Sequence, residues 1–314
     1  MKTLVTGGTG FVGSHLVRAL LKLGCEVFVI GSRGEIPVPK GVHFFSYSYA
    51  GVDWARMHNL LNGDPMDVIF HLAADNDTTV TNTDDMWFTN VKSSMVLFEH
   101  AISMGCKKII YASSAAVYGN TPPPHRESGP TDPLNAYGKS KKHLEEIAHQ
   151  FDDKSLMGER PLVVTIGLRY CNIYGPGEAK KGKRASMIYQ LAQQIRKGPP
   201  RLFGDGEQKR DYIFIDDVIR ANLLAMEVND TCVINIATGE ATSFNKLVSI
   251  LRMTVPTDID WDETEYVPNP YEGAYQSHTQ CDMTVAKEIL GFVPKYDISR
   301  GIAEYYKRGE LSKH

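Results

Sequence analysis

The sequence has no run of about 20 apolar residues, the length a helix needs to cross a bilayer, so no membrane span is expected. It lacks a strong charge: a net charge of -3 over 314 residues gives no general attraction to nucleic acid or to a membrane surface. Cysteine is scarce. The five present (Cys25, Cys106, Cys171, Cys232, Cys281) are dispersed, with no Cys-x-x-Cys pair. That argues against a disulfide framework or a zinc site and for a reducing, cytoplasmic setting. No leader is expected either, because Met1-Lys2 runs straight into an apolar strand. Internal repeats, low-complexity tracts and long linkers are also missing. What remains is ordinary: 42% apolar and 23% charged residues, as in a soluble globular protein of one large domain or two unequal lobes.

The informative stretches begin at once. Lys2-Thr3-Leu4-Val5-Thr6 reads as a short strand, Gly7-Gly8-Thr9-Gly10-Phe11-Val12-Gly13 as a glycine-rich turn, and Ser14 to Leu21 as a helix by its apolar spacing. A turn of that kind lets backbone approach a pyrophosphate while the helix N-terminus faces its charge. Strand, turn and helix stand in the order a dinucleotide site requires. A second strand, Val27 to Ile30, ends at Gly31, where an NAD fingerprint carries an acid for the ribose 2′-hydroxyl. With no carboxylate there, Ser32 and Arg33 can face a 2′-phosphate, which favours NADP and leaves NAD second. The alternative for Arg33 is a solvated loop cation. Asp67 to Ala74 reads as a buried strand whose small-residue end passes the cofactor, and His71 within it as a core histidine.

Tyr137-Gly138-Lys139-Ser140-Lys141 holds the strongest catalytic signal. Residues four apart share a helix face, so Tyr137 pairs with Lys141. A phenol has an ordinary pKa of about 10, and a neighbouring cation favours the phenolate. Upstream, Lys108 to Ser114 reads as a strand ending in hydroxyls, where Ser114 can hold a substrate oxygen. Leu162 to Leu168 reads as another strand. Alternating strands and helices imply a doubly wound parallel sheet.

From Tyr170 onward the pattern changes, and residues 170–314 read mainly as a smaller substrate-binding lobe, with 1–169 the dinucleotide-binding domain and 211–240 returning to it. Gly175-Pro176-Gly177 precedes a basic run, Lys180, Lys181, Lys183 and Arg184, then a helix from Ser186 to Arg196. The run is either a solvated face or a grip on a diphosphate across an interlobe cleft. Lys209 to Ile215 reads as a strand, and Asp216-Asp217-Val218 opens a helix with carboxylates at its positive end.

Together these motifs resemble the extended short-chain dehydrogenase/reductase superfamily, in its nucleotide-sugar epimerase/dehydratase branch, over almost the whole chain. The resemblance rests on Gly7-x-x-Gly10-x-x-Gly13, the Ser114 strand end, Tyr137-x-x-x-Lys141 and Arg210-Asp211-Tyr212 with Asp217-Val218. It implies a Rossmann-type fold and a homo-oligomer. It also implies that Lys141 contacts the nicotinamide ribose and that Phe11, Val12, Leu72, Ala73, Ala74 and Asn90 join the cofactor site. A narrower resemblance is to the ADP-glyceromanno-heptose 6-epimerases, carried by Asp77-Thr78-Thr79, Pro133 to Gly138, Arg169 to Pro176, Gly175 to Gly182 and above all Tyr275 to Asp282. It implies two proton-transfer groups, Tyr137 and Lys181, around a carbon that is oxidised and reduced again. Thr78, Thr79, Ser114, Asn172, Lys183, Gln190, Phe203, Arg210 and Tyr275 match its substrate-contacting positions. For Arg210 a structural ion pair stays open, for Tyr275 a core aromatic, and for Lys181 a solvated loop or phosphate contact. That family often has an acid where Gly31 stands, a histidine at Lys180 and a small hydroxyl at Lys183. A UDP-hexose 4-epimerase would share the fold and the tyrosine without needing Lys181. A dehydratase would show acids where Ala115-Ala116 stand. A non-catalytic dinucleotide sensor would have no use for Ser114, Tyr137 and Lys141 together.

Overall fold

The computed structural model describes residues 1–31, 38–46, 65–78, 83–151, 163–257, 263–270 and 275–311. Its first half alternates strands and helices: β1 (Lys2–Thr6), α1 (Phe11–Lys22), β2 (Glu26–Gly31), β3 (Val42–Ser46) and β4 (Val68–His71). There follow α2 (Thr83–Trp87), a π-helical turn (Phe88–Lys92), α3 (Ser93–Ser103), β5 (Lys108–Ser114) and α4 (Ala136–Gln150). Next come β6 (Val164–Tyr170), β7 (Asn172–Tyr174), a 3₁₀ segment (Glu178–Arg184), α5 (Met187–Ile195), β8 (Arg201–Phe203), β9 (Lys209–Phe214) and α6 (Ile215–Ala225). The chain closes with β10 (Cys232–Ile236), β11 (Ala241–Ser243), α7 (Phe244–Thr254), β12 (Glu265–Val267), α8 (Thr284–Leu290) and α9 (Ile298–Lys307).

Among the described residues, seven strands form one parallel sheet in the order β10-β6-β5-β4-β1-β2-β3. Both faces are covered, so its strands read as apolar runs rather than alternating patterns. Alternate side chains go to opposite faces. Val5, Val27, Val29, Phe70 and Ile110 meet α1 and α6 through Leu16, Leu20 and Val218. Leu4, Phe28, Ile30, Ile69 and Ile109 meet α3 and α4 through Leu97, Phe98 and Leu144. Two small sheets stand apart: β11-β9-β7, and β12 paired in parallel with β8.

One strand is shorter than the sequence predicts. β4 stops at His71 instead of reaching Ala74. Beyond it the Thr6 hydroxyl accepts from Ala73 N (3.2 Å) and the Asn90 side chain takes both the N–H and the C=O of Asp75. Those bonds satisfy the backbone that leaves the sheet and shape residues 72–78 into a wall. His71 is buried between Thr6 and Ser94, and burial pushes its imidazole down to about 3, so it is a neutral core histidine. No helix of the described residues is long and apolar enough to cross a membrane.

Candidate active site

A cleft of about 1370 Å³ opens at the C-terminal ends of β1, β4, β5 and β6. Its floor is the glycine-rich turn. Gly7 has φ +69°, and a Cβ there would sit 2.9 Å from Ala73 N; one on Gly13 would sit 2.2 Å from Gly7 O. Only glycine lets the turn close this tightly, and the closure aims the first turn of α1, which carries no acidic residue, at the cleft. The leading N–H groups of a helix have no partner within it and attract anions. Gly10, Phe11, Val12, Gly13, Leu72, Ala73 and Ala74 all line the cleft. This cradle fits the pyrophosphate of a nicotinamide dinucleotide.

The reactive wall comes from α4 lying against the end of β5. Asn135 caps α4, accepting from Gly138 N at 2.9 Å. Gly138 is what permits the close approach: a Cβ there would lie 2.7 Å from Ala116 O. One face of α4 then reads the strand end. Tyr137 is hydrogen-bonded to Ser114, Lys141 Nζ donates to Ala112 O at 2.8 Å, and Ser113 Oγ donates to Glu145. Ser114 Oγ also accepts from Ala116 N at 3.1 Å, which fixes its rotamer.

One electrostatic expectation changes. Lys141 was expected to lower the Tyr137 phenol. Instead burial pushes that phenol up, opposed by the Ser114 hydrogen bond. Lys141 Nζ is 5.8 Å from the ring centroid and spends a proton on the Ala112 carbonyl. Burial brings Lys141 itself down to about 8, with Glu145 pulling the other way. Glu145 is the residue the sequence reading missed. It is buried beside Arg169, which grips it at 2.8 and 2.7 Å and reaches on to the Tyr118 hydroxyl at 2.8 Å. Its spacing, four residues past Lys141 on one face, was the available signal.

The opposite wall is the 3₁₀ segment after β7. The buried Glu178 carboxylate accepts from Gly175 N, Ser186 N and Ser186 Oγ, clamping both ends of the segment. Lys181 Nζ lies 5.3 Å from the Phe11 ring centroid, over the glycine-rich turn. Burial pushes the Lys181 ammonium down; Glu178 raises it and Arg184 lowers it. Arg184 is the neighbouring cation that contributes to that lowering.

The substrate positions divide. Thr78, Ser114, Asn172 and Lys183 line the main cleft. Phe203 and Tyr275 line a second cavity of about 460 Å³. Arg210 stacks on Tyr275, 4.8 Å from its ring centroid, its guanidinium donates to Lys209 O at 2.8 Å, and among the described residues no acidic side chain forms an ion pair with it. Asn172 Nδ2 donates to Asp211 O at 3.0 Å, tying the cleft to the strand that carries Arg210. Gln190 faces neither cavity: its amide donates to Lys183 O and Ala185 O, so it braces the basic segment. Asn90 is likewise buried away from the cleft, joining Asp75 to Ser140. Ser32, Arg33 and Thr79 lie outside the described residues. The cleft also takes in Asp75, Asn76 and Thr89, which no motif had marked.

A dinucleotide cradle beside a serine, a phenol and a lysine defines a nicotinamide-dependent enzyme of the extended short-chain dehydrogenase/reductase class. The chain belongs to the NAD dependent epimerase/dehydratase family, which matches residues 3–237. It is similar to the ADP-L-glycero-D-manno-heptose-6-epimerase of Alkalilimnicola ehrlichii, 34% identical, covering 96% of this chain and 95% of the relative. The crystal structure of the Helicobacter pylori ADP-L-glycero-D-manno-heptose-6-epimerase matches with a TM-score of 0.85 and 33% identity, over 100% of this chain and 96% of that one. The UDP-glucose 4-epimerase of Thermotoga maritima, solved with UDP-glucose, matches with a TM-score of 0.87 and 32% identity, over 98% and 99% of the two chains.

Proposed function

We propose that this protein epimerises C6 of ADP-D-glycero-D-manno-heptose, giving ADP-L-glycero-D-manno-heptose by transient oxidation and re-reduction. The observation that carries the reading is Lys181 over the glycine-rich turn, in the same cleft as Ser114 and Tyr137 but on the opposite wall. A carbon that must be protonated on oxygen from two orientations needs two proton-transfer groups. The shared name of the heptose epimerases similar to this chain supports the same reading.

A bound nicotinamide dinucleotide supplies the reversible two-electron exchange at the alcohol carbon. Gly7, Gly10, Phe11, Val12 and Gly13 would hold its pyrophosphate, with Leu72, Ala73 and Ala74 beside them and Lys141 at its ribose. Ser114 binds the reacting oxygen of one epimer, and Tyr137 takes and returns its proton. Lys181 does the same for the other epimer after the ketone turns over. A lysine exchanges a proton near neutral pH only when its pKa falls, and burial moves Lys181 that way. Thr78, Thr79, Asn172, Lys183 and Arg210 grip the substrate, with Phe203 and Tyr275 flanking its nucleotide. The substrate lobe comprises residues 170–314 apart from 211–240. Like subunits assemble, supported by Trp87, Phe88, Met95 and Val96 exposed along α2, the π-helical turn and α3; light scattering giving a monomer would exclude that.

The preferred cofactor is NADP, because Gly31 stands where an acid would repel the 2′-phosphate and Arg33 follows. Arg33→Ala should weaken NADP by about tenfold or more while sparing NAD; equal affinity of the unmodified protein for NADP and NAD would overturn the preference. A second reading, a UDP-hexose 4-epimerase, draws support from the Thermotoga maritima likeness. A panel of ADP-heptoses and UDP-hexoses separates the two by NMR. Turnover of the heptose alone is expected; turnover of UDP-glucose alone would replace the first reading with the second.

A further inference from the structure

The fold joins two cysteines that the sequence keeps 110 positions apart. Cys171 is the single residue between β6 and β7. Cys281 lies near the end of the Tyr275–Asp282 segment. Both are buried free thiols with their sulfurs 2.9 Å apart. Each backbone is pinned, Cys171 N donating to Ile236 O at 3.1 Å and Cys281 N to the Asp211 carboxylate at 3.3 Å. Ala115, Val117, Tyr118 and Ala237 pack around the pair. The thiols therefore face each other in a fixed, buried setting that also holds the Asp211 carboxylate, within 4.8 Å of both sulfurs. Cys171 also lines the main cleft, so a small solute can approach this residue by the route that cofactor and substrate would use.

We propose that Cys171 and Cys281 form an oxidisable dithiol that a hydroperoxide converts to an intramolecular disulfide. In the first step the Cys171 sulfur, once deprotonated, attacks one oxygen of hydrogen peroxide. The O–O bond breaks, a sulfenic acid forms, and the other oxygen leaves as water after taking a proton. In the second step the Cys281 sulfur attacks the sulfenic sulfur, forming the S–S bond. The sulfenic oxygen departs with the Cys281 proton as a second water. Two thiols are oxidised by two electrons and one peroxide is reduced to two waters. The sulfurs must close to about 2.0 Å, a movement of about 1 Å that the pinned backbones bracket. The hydrogen bond between the two thiols, then burial, hold the Cys171 thiol well above its usual range, so the first step is slow near neutral pH and quickens as pH rises.

The bond would staple the residue before Asn172 to the segment carrying Tyr275. It also closes a long loop, which constrains the unfolded chain. The test uses the full-length protein treated with hydrogen peroxide, then alkylated under denaturing conditions and analysed by mass spectrometry. The expected product is lighter by two hydrogens, yields a peptide pair joining Cys171 to Cys281, melts at a higher temperature than the reduced protein, and reverts with dithiothreitol. Cys281→Ala should give no such pair, leaving a dimedone-reactive sulfenic acid on Cys171. Full alkylation of both cysteines after peroxide, pairing with any other cysteine, or a disulfide that lowers the melting temperature would overturn the proposal. A further arm adds ADP-heptose with NADP and expects slower oxidation. That arm rests on the function proposed above, so its failure counts against cleft occupancy, whereas the ligand-free cross-link tests the dithiol alone.

Discussion

Tyr137 keeps its proton tightly in this structure because burial outweighs the Ser114 hydrogen bond, while Lys181 on the facing wall is pushed toward releasing its own. The two groups are complementary: one is a reluctant acid, the other a cation made more willing to deprotonate. If each serves one orientation of the ketone, removing either should stop epimerisation and leave half of the chemistry. Lys181→Met keeps the apolar stem, and Tyr137→Phe keeps the ring. Each should lower epimerisation by roughly 10²–10⁴, the usual worth of a positioned acid or base, with little change in cofactor affinity. A substrate analogue with an aldehyde at C6 should still exchange hydride in each variant. Epimerisation by Lys181→Met at the unmodified rate would remove the lysine from the mechanism. The Tyr137–Lys141 spacing was legible from sequence, since a helical period alone brings those residues to one face. The sign of the phenol shift was not, because it is set by how deeply the folded chain buries Tyr137, which no helical period reveals.

At the scale of elements, α4 acts as a ruler laid along the end of β5. Positions 137, 141 and 145 meet Ser114, Ala112 and Ser113 in turn, and the third contact is locked by the pair Glu145–Arg169, with side chains 9% and 7% exposed. Breaking a buried pair on one side leaves an uncompensated charge. Glu145→Gln should therefore cost about 3–5 kcal/mol of stability by denaturant titration, whereas Glu146→Gln, an exposed neighbour, should cost little. A loss under 1 kcal/mol would show that Arg169 finds another partner. The strands of the main sheet were readable because a sheet covered on both faces writes itself as short apolar runs. The edge of β4 was not, because Thr6 and Asn90 capture its continuation through side chains distant in sequence. Gln190 shows the same limit. Its family position suggests a substrate contact, yet its amide is used on the Lys183 and Ala185 carbonyls.

Across the whole molecule, one parallel sheet supplies a cradle and a reactive wall, while the 3₁₀ segment after β7 supplies the opposite wall and β9 carries Arg210 to its stack on Tyr275. The Cys171–Cys281 pair joins these two halves, and no spacing rule could have shown it, because adjacency across sheets carries no sequence period. The central claim is that one carbon loses hydride and regains it on the other face without exchange with water. NMR of ADP-D-glycero-D-manno-heptose deuterated at C6, incubated in ordinary water with the protein and NADP, tests this directly. The account predicts the L-glycero epimer with deuterium still at C6. Loss of the label to solvent, or an unchanged heptose in a preparation that interconverts UDP-glucose and UDP-galactose, would contradict it.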